Sequence, residues 1–196
     1  RRIRKRQEKE QQRLSRESRK PNQQASQQPQ PNANRQPIAA KTPGQKNLIL
    51  AISTSPQVIV VGPAGTGKSY IPAAMAADFL AAKEIDAIIL TRPAVSVGRT
   101  MGYLPGDQDQ KMLPWMIPLL EPLRDRLGSS FVDYCIKSKK IEIAPLETIR
   151  GRTFKRAFVI VDEAQNLTLH ELKALVTRMG EDSKLVIDGD INQTDL

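Results

Sequence analysis

From Gln57 onward, short apolar runs alternate along the chain with stretches of helical period. Gln57-Val58-Ile59-Val60-Val61 is a continuous apolar run of the kind found in strands buried on both faces. Ala87 to Leu90, Ile141 to Ile143, Ala157 to Val161 and Lys184 to Ile187 read as further strands. Between them, an Ala-rich helix is predicted from Gly67 to about Ala82, with Pro72 forcing a late start or a kink because proline lacks the N–H that an inner turn needs. Trp115, Leu119, Leu120, Leu123 and Leu127 recur at helical spacing, and Pro118 and Pro122 are expected to kink or divide that helix. Thr168 followed by Glu171 is a capping-box pattern opening a helix whose Leu169, Leu172, Leu175, Val176 and Met179 share one face. A short helix over Gln45 to Ser53, introduced by Pro43, precedes the first strand, and Thr91 to Lys111 reads as irregular. Strands separated by helices in this way imply a parallel sheet with helices on both faces.

The segment before this pattern has a different texture. Residues 1 to about 37 scatter a few apolar side chains among Arg, Gln, Ser, Asn and Pro, too few to offset the entropy of ordering them, so residues 1–40 read as a disordered basic tail ahead of a 41–196 domain. The formal charge of +9 belongs to that tail: residues 1–41 hold 12 Lys/Arg against three Glu, and the other 155 residues carry 18 of each sign. A mobile basic arm can neutralise nucleic-acid phosphates without reading sequence, while a merely solvated extension fits the same composition. The absence of any apolar stretch of membrane-spanning length implies a soluble, cytoplasmic protein with no membrane partner. One cysteine, Cys135, excludes an intramolecular disulfide and reads as a small core residue, and a single histidine, His170, leaves little room for Ser-His or Cys-His catalysis. A first residue Arg1 and a last run Thr194-Asp195-Leu196 directly after a strand suggest sequence missing at both ends.

Candidate chemistry is concentrated behind the strands. Gly62-Pro63-Ala64-Gly65-Thr66-Gly67-Lys68-Ser69 matches G-x-x-x-x-G-K-[ST] and sits between a strand and a helix, where a phosphate loop works. Its glycines let backbone N–H groups face a phosphate, and the helix after it presents its positive end to the same anion, so residues 62–69 and the adjoining Tyr70 are candidate nucleotide contacts. Lys68 is expected between the β- and γ-phosphates and the Ser69 hydroxyl on Mg²⁺. Asp162 and Glu163 close a buried strand at its C-terminal end; Asp162 is expected to hold Mg²⁺, and Glu163 to polarise the attacking water. After the last strand comes Gly189-Asp190-Ile191-Asn192-Gln193, where an amide can report a terminal phosphate by making or losing a hydrogen bond.

Together with Thr91 to Val95, Gly102 to Asp107, Arg150 to Phe154, Val161 to Asn166 and Gly189 to Leu196, these motifs resemble the PhoH family over roughly residues 41–196. That family is similar to the first motor lobe of superfamily 1 helicases. The resemblance implies a P-loop NTPase, RecA-like fold and an ATPase with proposed RNA helicase activity. It further implies that Gln45, in Thr42-Pro43-Gly44-Gln45, meets the adenine edge and that Gln193 senses the γ-phosphate. Ser69 stands where Thr is more usual, which keeps the hydroxyl, and the run stops before the segment where a charge-stabilising Arg is expected; Arg150 and Arg152 are candidates to serve a neighbouring subunit's nucleotide.

Arg92, in Thr91-Arg92-Pro93, lies on the rim where such lobes touch a nucleic-acid backbone and is the candidate phosphate contact, an internal ion pair being the alternative. Tyr103 and Trp115 are candidates to stack on bases, although Trp115 sits at a core position of its helix. The function expected is ATP hydrolysis coupled to RNA or single-stranded DNA. Because movement needs two surfaces, a homo-oligomeric ring, such as a hexamer, is expected around it. A nucleotide-state switch without motor activity is the alternative.

Overall fold

The computed structural model describes residues 28–93, 108–149 and 151–193. In chain order these form α1 (Pro43–Thr54), β1 (Gln57–Val61), α2 (Tyr70–Ala81), β2 (Ala87–Thr91), α3 (Gln108–Leu127), α4 (Ser129–Lys137), β3 (Ile141–Ile143), α5 (Leu146–Ile149), β4 (Ala157–Val161), α6 (Leu169–Val176) and β5 (Lys184–Gly189). The five strands make one sheet in the order β1-β5-β4-β2-β3, and every pairing is parallel. Helices pack on both faces. One core holds α1 to α4 against Ile88, Leu90, Phe158, Ile160 and Val186; the other holds Leu146, Ile149 and Leu175 against Ile89, Val159, Val161, Leu185 and Ile187. This alternation along each strand is the two-residue period of a sheet covered on both sides, and the expected α/β architecture is the one found.

Helix α2 explains the tight centre of the molecule. It starts late, at Tyr70, so Pro72 falls in the first turn, where N–H groups have no intrahelical acceptor and proline is harmless. Ala73, Ala74, Ala76 and Ala77 are fully buried, and their small size lets α3 approach closely. Of the two outcomes expected for helix α3, division does not occur: it runs for 20 residues with Pro114, Pro118 and Pro122 all inside it. A proline inside a helix costs about 3 kcal/mol. These three recur every fourth residue, so the missing hydrogen bonds fall along one stripe. The other side buries Met112, Met116, Leu119, Leu120, Leu123 and Leu127 almost completely, each contributing roughly 1.5–3 kcal/mol, which outweighs the lost bonds.

Two further expectations need correction. Strand β1 is not buried on both faces: it is an edge strand, with Val58 and Val60 against the core but Ile59 67% and Val61 55% exposed. Helix α6 has the expected capping box, yet Leu169 is 81% exposed and only Leu175 on its apolar face is fully buried. The reason is shared: α6 and the outer edge of β1 border the same side of the molecule, where no described element covers them.

The segment expected to be a tail is laid down on the domain from Asn32 onward. The Asn32 N–H donates to the Leu127 carbonyl at 3.1 Å, Arg35 pairs with Asp78 at 3.4 Å, and Arg126 donates to the Gln36 carbonyl at 3.0 Å while holding Asp78 with two nitrogens at 2.8 and 2.6 Å. Ile38 joins the core. Composition alone does not reveal such a segment, because what fixes it is backbone hydrogen bonding and one shared carboxylate. Cys135 is buried as expected, and that burial raises its thiol pKa.

Leu123→Ala, at a site with no exposure, is expected to destabilise the fold by about 2–5 kcal/mol, whereas Leu169→Ala is expected to stay within about 0.5 kcal/mol of wild type. Urea denaturation of the two variants checks both figures; equal losses would place Leu169 in a core.

Candidate phosphate and divalent-cation site

The strand order makes the site. β5 is inserted between β1 and β4, so the loop after β1 and the carboxylates after β4 open onto one rim with the β5 terminus between them. The 62–69 loop is anchored to that terminus, Gly62 N–H donating to the Gly189 carbonyl at 3.2 Å. Its turn is closed by the Thr66 hydroxyl on the Pro63 carbonyl at 2.8 Å. Gly65 and Gly67 take φ of +77° and +90°, where a side chain is strained. The Ser69 hydroxyl then lies 3.4 Å from Asp162 Oδ1 across 93 residues of sequence.

Around that contact the charges are arranged in pairs. Asp162 is buried, and its N–H donates to the Thr91 carbonyl at 3.0 Å. Arg92, expected at a nucleic-acid phosphate, is turned onto the carboxylates: its two terminal nitrogens lie 3.4 Å from Asp162 Oδ2 and 3.3 Å from Glu163 Oε1. Trp115, expected at a core position, is instead half-buried, its ring centre 5.9 Å from the Arg92 guanidinium carbon in a cation–π contact. Glu163 has left-handed backbone, φ 54° and ψ 41°, a strained conformation for a non-glycine residue at a strand end.

Gln45 contacts the chain itself, donating to the Thr66 carbonyl at 3.0 Å and accepting from the Lys41 N–H at 2.7 Å. It thereby borders a cleft of about 600 Å³ that also exposes Gly67, Lys68, Ser69, Tyr70 and the segment Gln36 to Ala39. Pro63 and Ala64 form the exposed crest of the loop. Arg152 is engaged with Glu142 by two nitrogens, so it is paired within its own chain; that bond lowers the Glu142 pKa. Arg150, Tyr103 and the Gly102 to Asp107 motif lie outside the described residues.

Two residues of consequence were not singled out by the sequence. Gln165 ties the rim together: its amide nitrogen donates to Glu163 and to the Gln193 carbonyl at 3.0 Å, and its oxygen accepts from the Asp190 N–H at 3.0 Å. Gln193 is thus linked to Glu163 through its backbone, with its side chain exposed. Asp188 lies on β5, on the same face as Val186, with no exposure and with no donor bonded to either carboxylate oxygen. Burial and the neighbouring Asp162 raise its pKa to about 8, partly opposed by Lys68 and Ser69. The available signal was an acidic residue inside an otherwise apolar run.

A family model described as PhoH-like protein matches residues 37–196. The chain belongs to the PhoH family. It is 43% identical over 162 residues to Protein PhoH of Escherichia coli strain K12, covering 82% of this chain and 46% of that protein. It is 46% identical over 159 residues to a PhoH-like protein of Synechocystis (81% and 48% covered) and 44% identical over 165 residues to one of Bacillus subtilis (84% and 52% covered). The chain therefore spans about half the length of these curated relatives. PhoH membership and the parallel sheet support nucleotide binding. No helix among the described residues is long and apolar enough to cross a membrane.

A Cβ at Gly189 would stand 2.9 Å from Gln165 Oε1 and 3.1 Å from its backbone nitrogen. Gly189→Ala should therefore push the Gln165 bridge outward and cost roughly 1–3 kcal/mol. An unchanged urea midpoint would show that the rim yields freely at this point.

Proposed function

We propose that this PhoH-family chain binds ATP with Mg²⁺ at the 62–69 loop and hydrolyses it, and that hydrolysis is coupled to RNA or single-stranded DNA. The observation that carries this reading is the approach of Ser69 Oγ to Asp162 Oδ1 at 3.4 Å, with Lys68 on the same cleft and Glu163 next in sequence. The donor set fits a small hard cation, since hydroxyl and carboxylate oxygens converge there and the buried Asp188 carboxylate beside them has no donor.

Backbone N–H groups of the loop and the first turn of α2 receive the phosphates, and Lys68 neutralises the charge between the β- and γ-groups. Ser69 and Asp162 hold Mg²⁺, which when bound withdraws charge from the phosphate oxygens. Glu163 accepts a proton from the water that attacks the γ-phosphate, and Gln165 carries any shift of Glu163 to the Asp190–Gln193 turn, where Gln193 senses that phosphate. The base lies in the cleft bordered by Gln45, Tyr70 and the Gln36 to Ala39 segment.

Arg92 supplies the coupling. While it pairs with Asp162 and Glu163 it holds both carboxylates; a nucleic-acid phosphate competes for the same guanidinium and releases Glu163 to act on water. Strand movement requires a second surface, which a homo-oligomeric ring of this chain supplies.

Lys68→Ala is expected to abolish ATP binding measured by calorimetry, while Glu163→Gln keeps binding and loses turnover by at least about a hundredfold. Equal loss of binding in both would reject the roles assigned. RNA or single-stranded DNA is expected to accelerate ATP turnover by wild type, and Arg92→Ala to remove most of that acceleration. Turnover indifferent to either nucleic acid would favour a nucleotide-state switch over a motor.

A further inference from the structure

Asp188 is a carboxylate for which none of the roles above has a use. It is the penultimate residue of β5, pairs in register with Val60 of β1, and carries its side chain on the face where Val186 meets α2. On that face the strand ends beneath the 62–69 loop, and the groups that face the carboxylate are Asp162, Lys68 and Ser69. It has no exposure to solvent, and among the described residues no N–H or O–H stands in full hydrogen-bond geometry to either of its oxygens, Asp162 and Ser69 being the polar groups nearest to it. An acidic group so placed is costly to bury, and a second carboxylate beside it raises that cost. Either a proton shared between the two or a cation joining them offsets that cost.

We propose that Asp188 is a second carboxylate ligand of the divalent-cation site, and that this chain holds a divalent cation between Ser69, Asp162 and Asp188 before any nucleotide binds. The inference rests on the reading of residues 62–69 as a phosphate loop, but it makes a separate demand. A loop hydroxyl with a single Asp leaves most of a cation's shell to water and to the substrate's phosphates, and such a site fills together with the nucleotide. A second carboxylate beside Asp162 adds a further negative charge once the cation displaces its proton, which strengthens the protein's own hold on a hard cation. Among the described residues Lys68 is the cation facing Asp188, and it opposes the metal for that carboxylate.

The probe is Mn²⁺ alone, titrated into the full chain without nucleotide, with free Mn²⁺ counted by its electron paramagnetic resonance signal. Wild type is expected to take up one Mn²⁺, Asp188→Asn to weaken that uptake by about tenfold or more, and Mg²⁺ to compete for it. Asp188→Asn is nearly isosteric and removes a buried charge, so in EDTA it should melt no lower than wild type, while its gain in melting temperature on adding Mg²⁺ should be smaller. Lys68→Ala separates this proposal from the function assigned above: it should lose ATP yet take up Mn²⁺ at least as tightly as wild type. Retention of ATP by Lys68→Ala, with Mn²⁺ uptake still dependent on Asp188, would overturn the nucleotide reading and leave the cation site standing. No Mn²⁺ uptake by wild type, or equal uptake by Asp188→Asn, overturns the cation site.

Discussion

Ser69 and Asp162 meet only because the sheet inserts β5, the last strand in sequence, between β1 and β4, and every functional statement about this chain depends on that insertion. A parallel sheet places the C-terminal ends of its strands on one rim, so loops far apart in sequence converge there. The order β1-β5-β4 then sets the contents of the rim: the glycine loop on one side, Asp162 and Glu163 on the other, and Asp188 to Asp190 between. Gly62 bonding to Gly189 and Gln165 bonding across to Asp190 and Gln193 fasten the three loops to one another.

The rim concentrates charge, and charge is what its geometry organises. Asp162, Glu163 and Asp188 face Lys68 and Arg92 in a partly desolvated place where pairing is worth far more than at the surface. Arg92 spans two carboxylates and lies 5.9 Å from the centre of the Trp115 ring. Lys68 stands on the cleft side, where an incoming phosphate can take it from Asp188. In the function proposed, a triphosphate and a cation enter this site together, and each arrival changes the partners of the other charges. That redistribution is the physical basis of the coupling to a second ligand proposed above.

Much of this was legible in the residues. Gly65 and Gly67 read as backbone that must take positive φ, and the run Phe158 to Val161 ending in Asp162 and Glu163 as a buried strand delivering acids to its end. Periodicity was less reliable at the sheet edge: Ile59 and Val61 have the pattern of an interior strand, but local sequence does not state which strand is outermost. It also left a division of α3 open that the fold does not show, because a proline's local cost is visible in sequence while the six buried side chains that outweigh it belong to the packed molecule. The docked stretch from Asn32 to Ile38 was hidden for a similar reason, being held by Arg126 and Asp78 from distant helices. Asp188 was overlooked because one acid in an apolar strand has no meaning until the neighbouring strand brings Asp162 beside it.

The central claim is that the glycine loop and the β4 carboxylates enclose one Mg²⁺-bound triphosphate. Calorimetric titration of ATP into the full chain, once with Mg²⁺ and once with EDTA, tests it most directly. The account predicts saturable binding of one ATP that weakens markedly when Mg²⁺ is withheld. Absence of any heat of association, or an affinity indifferent to the cation, would contradict it.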